Sequence, residues 1–186
     1  ESYLIKTEIP SHKIIAIGFS IPGLTDSIGG VNYTYLRFGD KTLLENLETR
    51  FSKKIFLEND ARAMTLAEFK FATDHHYKNV LGLFIGWGIG LGIIIDGKLY
   101  QGASGFAGEF SHSPIFESRD VTCICGKKGC LEAVASGTAI VKMAEAAIKL
   151  DKDSILAIMP RHQEGGIMPN LVVEAALSVD KSAITI

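Results

Sequence analysis

All three cysteines of this chain fall within eight positions, and a histidine precedes the first of them by eleven residues. The cysteines are Cys123, Cys125 and Cys130, and the histidine is His112. Three thiolates and one imidazole make a complete tetrahedral ligand set for zinc, and the four residues are close together in the sequence. The sequence therefore predicts a zinc knuckle whose ligands are His112, Cys123, Cys125 and Cys130.

Two other interpretations of the cysteines stay open. Reduced thiols also pack as small apolar side chains, although this does not explain why all of them lie in one short stretch. A disulfide would leave one thiol over, and nothing in the sequence suggests secretion. Gly126 and Gly129 lie where a chain that wraps around a metal has to turn tightly, which favours the metal site.

Two glutamates flank the predicted knuckle. Glu109 lies three residues before His112, and Glu132 lies two residues after Cys130. Closing the metal site would draw these carboxylates towards one another beside an imidazole. Ionised carboxylates accept hydrogen bonds well from sugar hydroxyls, so the pattern indicates a polyhydroxylated ligand. The alternative is that both glutamates are solvated surface groups.

The bulk composition excludes several classes of partner. Nineteen basic residues stand against 21 acidic ones, for a formal net charge of -2, which argues against binding of nucleic acid by a basic surface. No apolar run reaches the roughly 18 residues of a membrane span, and no secretory leader precedes the first predicted strand. We therefore expect a cytoplasmic protein with reduced thiols and no membrane partner.

Apolar β-branched runs alternate with segments of helical periodicity along the chain. Strands are predicted over residues 13–21, 54–57, 80–85 and 91–95. Helices are predicted over residues 42–51, from 61 onwards, and over 136–150, 154–159 and 169–179. Asp96-Gly97 is a strong signal for a two-residue hairpin turn. Parallel strands that alternate with helices, with one antiparallel hairpin, predict an α/β fold.

Asn59 and Asp60 lie at the carboxyl end of a predicted strand and at the start of a helix. Open α/β sheets bind ligands at that edge. A carboxylate there could accept a proton from a substrate hydroxyl, the general-base role in phosphoryl transfer. The alternative is an ordinary helix N-cap, a position where Asn and Asp are preferred.

The segment from Gly86 to Gly90, with glycine at positions 86, 88 and 90, joins two predicted strands. Such a loop exposes backbone N–H groups in the manner of loops that bind phosphate. It opens no helix, so it is not a dinucleotide fingerprint. Tight turning of the chain is the competing explanation, and Trp87 is large for a position where phosphate would approach closely.

In this order and spacing, the motifs resemble the ROK family, which groups sugar kinases with sugar-responsive transcriptional repressors. The resemblance covers about residues 14–150, and the cysteine block is its most specific part. The motifs that carry the resemblance are Ile21-Pro22-Gly23-Leu24, Glu58-Asn59-Asp60-Ala61, Gly86-x-Gly-Ile-Gly90, Gly105-x-Ala-Gly-Glu109, His112, and Cys123-x-Cys-Gly-x-x-Gly-Cys130-Leu-Glu132.

The resemblance implies an actin-like, ribonuclease-H-like ATPase fold of two lobes with a sugar in the cleft. It implies that Asp60 is the base in the kinases and that His112 serves both as zinc ligand and as sugar contact. It also implies a homodimer or homotetramer. The implied sugar-binding residues are Asn59, Asp60, Glu109, His112 and Glu132, and the implied phosphate-binding residues are Gly86, Gly88 and Gly90.

Departures from the family pattern favour the repressor branch. Trp87 stands where family kinases usually carry Thr or another small polar residue, Arg62 where they usually carry Asn, and Ser111 where they commonly carry Gly. The resemblance to repressors implies a sugar sensor that reaches DNA only through a domain outside this chain. The resemblance to kinases implies an ATP-dependent hexose or N-acyl-hexosamine kinase that uses Mg-ATP.

We expect residues 1–186 to be the sugar-binding region of a longer ROK protein, because the chain begins with Glu1 and ends inside an apolar run. An amino-terminal phosphate loop or a helix-turn-helix would then lie upstream. A third hypothesis also stays open. It describes a zinc-stabilised interaction module without a ligand, in which the carboxylates are incidental.

Overall fold

A computed structural model describes residues 9–36, 39–72, 76–115, 121–159 and 166–185. The chain divides into two compact units. The first unit consists of Glu1–Leu83 and Gly90–Glu109, and the second consists of Phe84–Ile89 and Phe110–Ile186. Helices and strands alternate through the first unit, as the α/β prediction requires.

The first unit is built on a pair of parallel strands. Strand β1 (Ala16–Ile21) pairs with β4 (Lys54–Asn59), and Ile21 lies opposite Asn59. A short antiparallel pair, β2 (Thr25–Asp26) and β3 (Val31–Asn32), lies between them in sequence. The core consists of buried apolar side chains from β1, β4 and the intervening helix, namely Ile21, Leu43, Ile55 and Leu57.

Helix α1 (Leu43–Phe51) begins one residue after the predicted start at position 42. The Thr42 side chain accepts a hydrogen bond from the Glu45 N–H at 3.1 Å, and the Glu45 carboxylate accepts one from the Thr42 N–H at 2.8 Å. This reciprocal capping box satisfies two amides of the first turn. The helix ends at Ser52, whose φ of 50° is left-handed.

Helix α2 (Asp60–Phe71) begins directly after β4, one residue earlier than predicted. Strands β5 (Val80–Ile85), β6 (Ile89–Ile95) and β7 (Lys98–Leu99) form a three-stranded sheet in that order. The predicted Asp96-Gly97 turn is confirmed, with φ values of 50° and 76°.

The second unit is mainly helical. Its helices are α3 (Leu131–Ala135), α4 (Gly137–Leu150), α5 (Ile155–Ile158), α6 (Pro169–Leu177) and α7 (Lys181–Thr185). Small and branched apolar side chains fill its core, namely Ala144, Leu156, Ile167, Val172, Ala175 and Ala183. Among the described residues, no helix has the length and apolar character that crossing a bilayer requires.

Candidate functional site

The structure brings the four predicted metal ligands together in the second unit. One ligand atom from each of His112, Cys123, Cys125 and Cys130 lies within 4.8 Å of all the others. Cys123 and Cys130 are buried, whereas Cys125 is exposed. The four side chains could therefore hold a metal ion, as their sequence spacing predicted.

Two of the separations between ligand atoms fit a tetrahedral zinc site. With Zn–S of about 2.3 Å and Zn–N of about 2.0–2.1 Å, two sulfurs lie about 3.8 Å apart and a sulfur and a nitrogen about 3.6 Å apart. The Cys125 and Cys130 sulfurs are separated by 3.7 Å, and the Cys123 sulfur lies 3.5 Å from Nδ1 of His112. The donor set and the spacing both fit zinc.

The backbone turns of the knuckle explain how the sulfurs converge. The Cys123 N–H donates to the Lys127 carbonyl at 2.8 Å, and the Gly126 N–H donates to the Cys123 carbonyl at 2.9 Å. Gly126 and Gly129 have φ values of 87° and 72°. Residues with a Cβ rarely adopt this region, so the predicted role of both glycines in tight turning is confirmed.

The three thiols differ in acidity in the absence of a metal. Burial raises the pKa of Cys123 and raises the pKa of Cys130 to about 12. Burial also acts to raise the pKa of Cys125, but hydrogen bonds outweigh it and the pKa of Cys125 is lowered. The backbone N–H of Lys127 makes the largest contribution to this lowering, followed by the neighbouring thiols.

Asn59 and Asp60 lie where β4 passes into α2, at the carboxyl end of the parallel strand pair. The Asn59 side chain accepts from the Arg62 N–H at 3.1 Å, so Asn59 is the helix N-cap, and its amide donates to the Gly23 carbonyl at 3.1 Å. Asp60 is partly exposed, and its carboxylate accepts from the Ala61 N–H at 2.8 Å. The capping interpretation is thus confirmed for Asn59.

A buried polar network adjoins this corner in the first unit. Arg62 is 1% exposed and forms an ion pair with Glu58, Nε to Oε1, at 2.8 Å. From the sequence, Arg62 was only a departure from the kinase pattern, and Glu58 had no predicted role. Glu58 lies in β4 and Arg62 in α2, so no helical spacing rule relates them, and their pairing depends on the turn between strand and helix.

The glycine loop between β5 and β6 is tied to α4 through its carbonyl groups. The Gly86 carbonyl accepts from the Gly137 N–H at 2.8 Å, and the Trp87 carbonyl accepts from both the N–H and the hydroxyl of Thr138. These contacts satisfy amides at the helix N-terminus. The Trp87 side chain is 56% exposed.

The three predicted phosphate-binding glycines have different surroundings. A Cβ on Gly86 would meet no atom within 4 Å, whereas one on Gly88 would lie 2.8 Å from Oε2 of Glu132. Gly90 lies inside β6, and a Cβ there would overlap the Cβ of Ala61. Close packing therefore accounts for glycine at position 90, whereas the atom near position 88 is the end of a flexible side chain.

The predicted carboxylates lie in different units. Glu132 is in α3 of the second unit, where its Oε2 accepts from the Ile89 N–H at 3.1 Å. Glu109 is the last residue of the first unit and begins the 3-10 helix Glu109–His112, which ends at the metal-ligand candidate. Its backbone N–H donates to the Phe106 carbonyl at 3.3 Å.

Comparison with known proteins decides the family. The model of the ROK family matches residues 3–185, which is nearly the whole chain. The chain belongs to the ROK family.

Both branches of the family occur among its relatives. The ROK chain is 32% identical to a glucokinase of Halalkalibacterium halodurans. The match covers 93% of this chain and 53% of the glucokinase. The chain is also 34% identical to the xylose repressor of Bacillus subtilis, in a match that covers 73% of this chain and 36% of the repressor. The chain thus spans between about a third and a half of these relatives.

Solved structures of ROK proteins are also similar to this chain in fold. A ROK family glucokinase from Streptomyces griseus, in complex with glucose and AMPPNP, matches with a TM-score of 0.74 and 28% identity. The match covers 93% of this chain and 56% of that glucokinase. The mixed α/β fold predicted from the sequence is accordingly that of ROK proteins.

Proposed function

We propose that this chain is the sugar-sensing region of a ROK-type transcriptional repressor, which binds a hexose or an amino sugar beside a zinc site. The observation that carries the sugar-binding part is the polar corner of Asn59 and Asp60 at the carboxyl end of β4. Ligands of open α/β sheets bind at that edge, and a partly exposed carboxylate accepts well from sugar hydroxyls.

The proposed sugar contacts are those that the family resemblance implies, namely Asn59, Asp60, Glu109, His112 and Glu132. Asn59 is already held by its capping bonds, so its side chain is oriented before a ligand arrives. Glu132 is likewise oriented by the Ile89 N–H. Side chains that are fixed in advance lose less conformational entropy on binding.

The proposed zinc site uses His112 and the three cysteines. Its support is the match of their separations to a tetrahedral zinc geometry. Zinc, when bound, supplies folding free energy and fixes the His112 ring. His112 itself would then present a defined edge to the sugar, because metal ligation orients its imidazole.

Trp87 supports sensing over phosphoryl transfer. Its large exposed side chain stands on the loop that would have to admit the phosphates of a nucleotide. In addition, the Ile89 N–H at the end of that loop donates to Glu132. A loop with these features is poorly suited to the close approach of phosphate, which glycine normally permits.

In the sensing hypothesis, the sugar favours one of two conformations of the whole protein and changes its affinity for DNA. Contact with DNA would be made by a domain outside this chain, since a net charge of -2 does not favour binding to DNA phosphates. We further propose a homodimer or homotetramer, as the family resemblance implies.

The second candidate is an ATP-dependent hexose or N-acyl-hexosamine kinase, which the likeness to the Halalkalibacterium halodurans glucokinase favours. Asp60 would accept the proton of a sugar hydroxyl while the hydroxyl oxygen attacks the γ-phosphorus of ATP and ADP leaves. The glycines at positions 86, 88 and 90 would bind the phosphates of Mg-ATP.

Thermal shift of the full-length protein against a panel of hexoses and amino sugars tests sugar binding. A ligand at about 100 times its dissociation constant adds about 2.7 kcal/mol to the free energy of unfolding, so the melting temperature should rise with at least one sugar. Trp87 is the only tryptophan of the chain and offers a second readout by fluorescence. No shift with any sugar would instead favour the interaction module.

Asp60→Asn separates the two candidate functions. If the protein is a sensor, the amide oxygen still accepts from a sugar hydroxyl, so the dissociation constant for sugar should rise by no more than about tenfold, because a charge-assisted hydrogen bond is replaced by a neutral one. If it is a kinase, phosphorylation should be abolished because the base is missing. The measurements are sugar affinity by calorimetry and ADP release with Mg-ATP.

The same experiment includes its own control. Wild-type protein that releases no ADP in the presence of a bound sugar supports the sensor, and sugar-dependent ADP release that Asp60→Asn abolishes overturns it. Glu48→Gln, at an exposed position of α1, serves as the matched charge-removal control and should change neither readout.

A further inference from the structure

Arg62 is the largest of the fully buried side chains in the described part of the protein. Its guanidinium has four partners in the first unit. Nε lies 2.8 Å from Oε1 of Glu58 in an ion pair that lacks hydrogen-bond geometry. One terminal nitrogen donates to the Gly105 carbonyl, and the other donates to the Thr25 carbonyl at 2.8 Å and to the Ser27 hydroxyl at 3.3 Å. A guanidinium has donors in several fixed directions, which suits this set of acceptors.

Glu58 extends the contacts of Arg62 to the corner that carries Asn59 and Asp60. Its Oε1 accepts from the Ser27 hydroxyl at 2.7 Å and from the Asn59 N–H at 2.9 Å. Its Oε2 accepts from the Gln101 side chain at 3.0 Å. The ion pair therefore joins the end of β4 to the segments that contain Ser27 and Gln101.

The segment after Gly105 is held at two points. The first is the Gly105 carbonyl, which accepts from Arg62, and Gly105 itself is buried with a φ of 81°. The second is Gly108, where a Cβ would overlap the Leu91 carbonyl. Glu109 follows immediately, so the backbone that carries its carboxylate starts from a fixed position.

We propose that Arg62 is a positioning residue of the sugar site. Its guanidinium holds the Gly105 carbonyl, and with it the segment leading to Glu109, against the end of β4 that carries Asn59 and Asp60. The inference rests on the proposed sugar-binding function. It gives Arg62 a role without direct contact with sugar, since the side chain is buried and all four of its partners are protein groups.

Lysine cannot take over this role. An ammonium group is a point charge on a flexible stem, and it cannot reach acceptors that lie in three directions around a planar guanidinium. Arg62→Lys should therefore keep the charge next to Glu58 but release the Gly105 segment. A misplacement of about 1 Å can cost up to about 100-fold in function, so we expect sugar affinity to fall at least tenfold.

The test measures the sugar dissociation constant of the full-length protein by calorimetry, using the sugar that gives the largest thermal shift with wild type. The variants are Arg62→Lys and the milder Ser27→Ala, which removes one donor to Glu58 and one acceptor of Arg62. Ser27→Ala should weaken sugar binding by a smaller factor than Arg62→Lys. Circular dichroism and melting curves establish that each variant is folded.

Thr42→Ala is the matched control for destabilisation. It breaks the capping box of α1 in the same unit without touching the Arg62 contacts, and it should leave the sugar dissociation constant within about twofold of wild type. A second measurement adds methylguanidinium to Arg62→Ala, so that the free cation can occupy the space of the missing guanidinium. Recovery of sugar affinity by this cation would not follow from a change in general stability. The added cation should restore sugar affinity to Arg62→Ala and have no effect on Thr42→Ala.

The outcomes separate this inference from the function on which it rests. Absence of sugar binding by wild type overturns the proposed function and this inference with it. Normal sugar affinity in a folded Arg62→Lys protein overturns this inference alone. If Arg62→Lys does not fold, Ser27→Ala decides, and wild-type affinity in that variant overturns the inference.

Discussion

At the metal-ligand cluster, the three thiols contribute unequally to the fold. Cys123 and Cys130 are buried and pack within the second unit, whereas Cys125 is exposed and has little packing to lose. A change at Cys125 therefore tests metal ligation with the smallest disturbance of packing. Structural zinc sites contribute folding free energy only when the complete ligand set is present.

Cys125→Ser should lose zinc and lower the melting temperature. A hydroxyl is a much poorer zinc ligand than a thiolate, so the metal content should fall from about one ion per chain towards zero when a competing chelator is present. Metal content by mass spectrometry and melting by circular dichroism are the measurements.

Ile124→Ser is the matched control for Cys125→Ser. Ile124 is the neighbouring residue, is 62% exposed and offers no ligand atom. This variant should keep its zinc and its melting temperature. If Cys125→Ser behaves in the same way as Ile124→Ser, the zinc proposal is wrong.

Among the secondary-structure elements, α2 depends on glycines of the sheet for its close approach. A Cβ at Gly82 or Gly92 would overlap the Thr65 side chain, and one at Gly90 would overlap Ala61. Glycine at these positions lets the helix lie against the strands without a gap. Sequence periodicity shows the helix and the strands but not which glycine faces which helical residue.

Gly90→Ala should destabilise the first unit by about 1–3 kcal/mol, the usual effect of overpacking. Addition of Ala61→Gly removes the overlapping methyl group and should recover part of this loss, as measured by urea denaturation in a double-mutant cycle. Gly18→Ala in β1 is the control, because a Cβ there meets nothing within 4 Å. Equal losses from Gly90→Ala with and without Ala61→Gly would contradict the packing explanation.

The start of α7 depends on one buried carboxylate. Asp180 is 9% exposed and accepts from the Ala183 N–H at 2.9 Å, from the Ile155 N–H at 2.8 Å and from the Ser154 hydroxyl. The Ala183 hydrogen bond makes the largest contribution to lowering the pKa of Asp180; burial opposes it but is outweighed. Asp180 thus joins α7 to the start of α5.

The pKa of Asp180 sets a pH dependence of stability. Because the pKa is lowered in the folded state, the stabilisation by the carboxylate is complete above the unfolded-state pKa of about 3.9 and is lost as pH falls through the folded-state pKa. Asp180→Asn should cost roughly 1–3 kcal/mol at neutral pH and should flatten the decline in stability below about pH 4.

Asp153→Asn is the control for this pH dependence, because Asp153 lies in the exposed segment before α5. Urea denaturation between about pH 3 and 7, a range of about four units that includes the ordinary Asp pKa of about 3.9, is the measurement. An Asp180→Asn protein with the wild-type pH profile would show that Asp180 is not the group responsible.

On the scale of the whole molecule, each unit has its own hydrophobic core. The core of the first unit lies around β1, β4 and α1, and that of the second lies around α4 and α6. The four candidate zinc ligands all belong to the second unit. Loss of the metal should therefore affect the two units differently.

Removal of zinc with a chelator should abolish hydrogen-exchange protection around residues 110–115 and 121–135, while the amides of β1 and β4 stay protected. The physical reason is that the apolar side chains of Ile115, Val121 and Ile124 are exposed, so the metal has to supply much of the stability of the knuckle. Exchange is followed by mass spectrometry of peptides, with zinc re-addition as the control. Uniform loss of protection in both units would contradict this expectation.

Local patterns in the sequence were sufficient where the relevant partners are near each other along the chain. The candidate metal-ligand set, the turns at Gly126 and Gly129, the hairpin at Asp96-Gly97 and the helix start at Ser136 all involve short separations. In such cases residue type and spacing already restrict the geometry. The family resemblance followed from the order of other short motifs, among them Glu58-Asn59-Asp60-Ala61 and the cysteine block from Cys123 to Cys130.

Only the tertiary structure decided the surroundings of residues whose partners are far away in the sequence. Arg62 meets Thr25 and Gly105 across about forty residues, and Glu132 meets Ile89 across a similar span. The close packing of Gly90 on Ala61 is of the same kind. A spacing rule covers one helical turn or one hairpin, whereas the burial of an arginine depends on how separate segments come together in the folded chain.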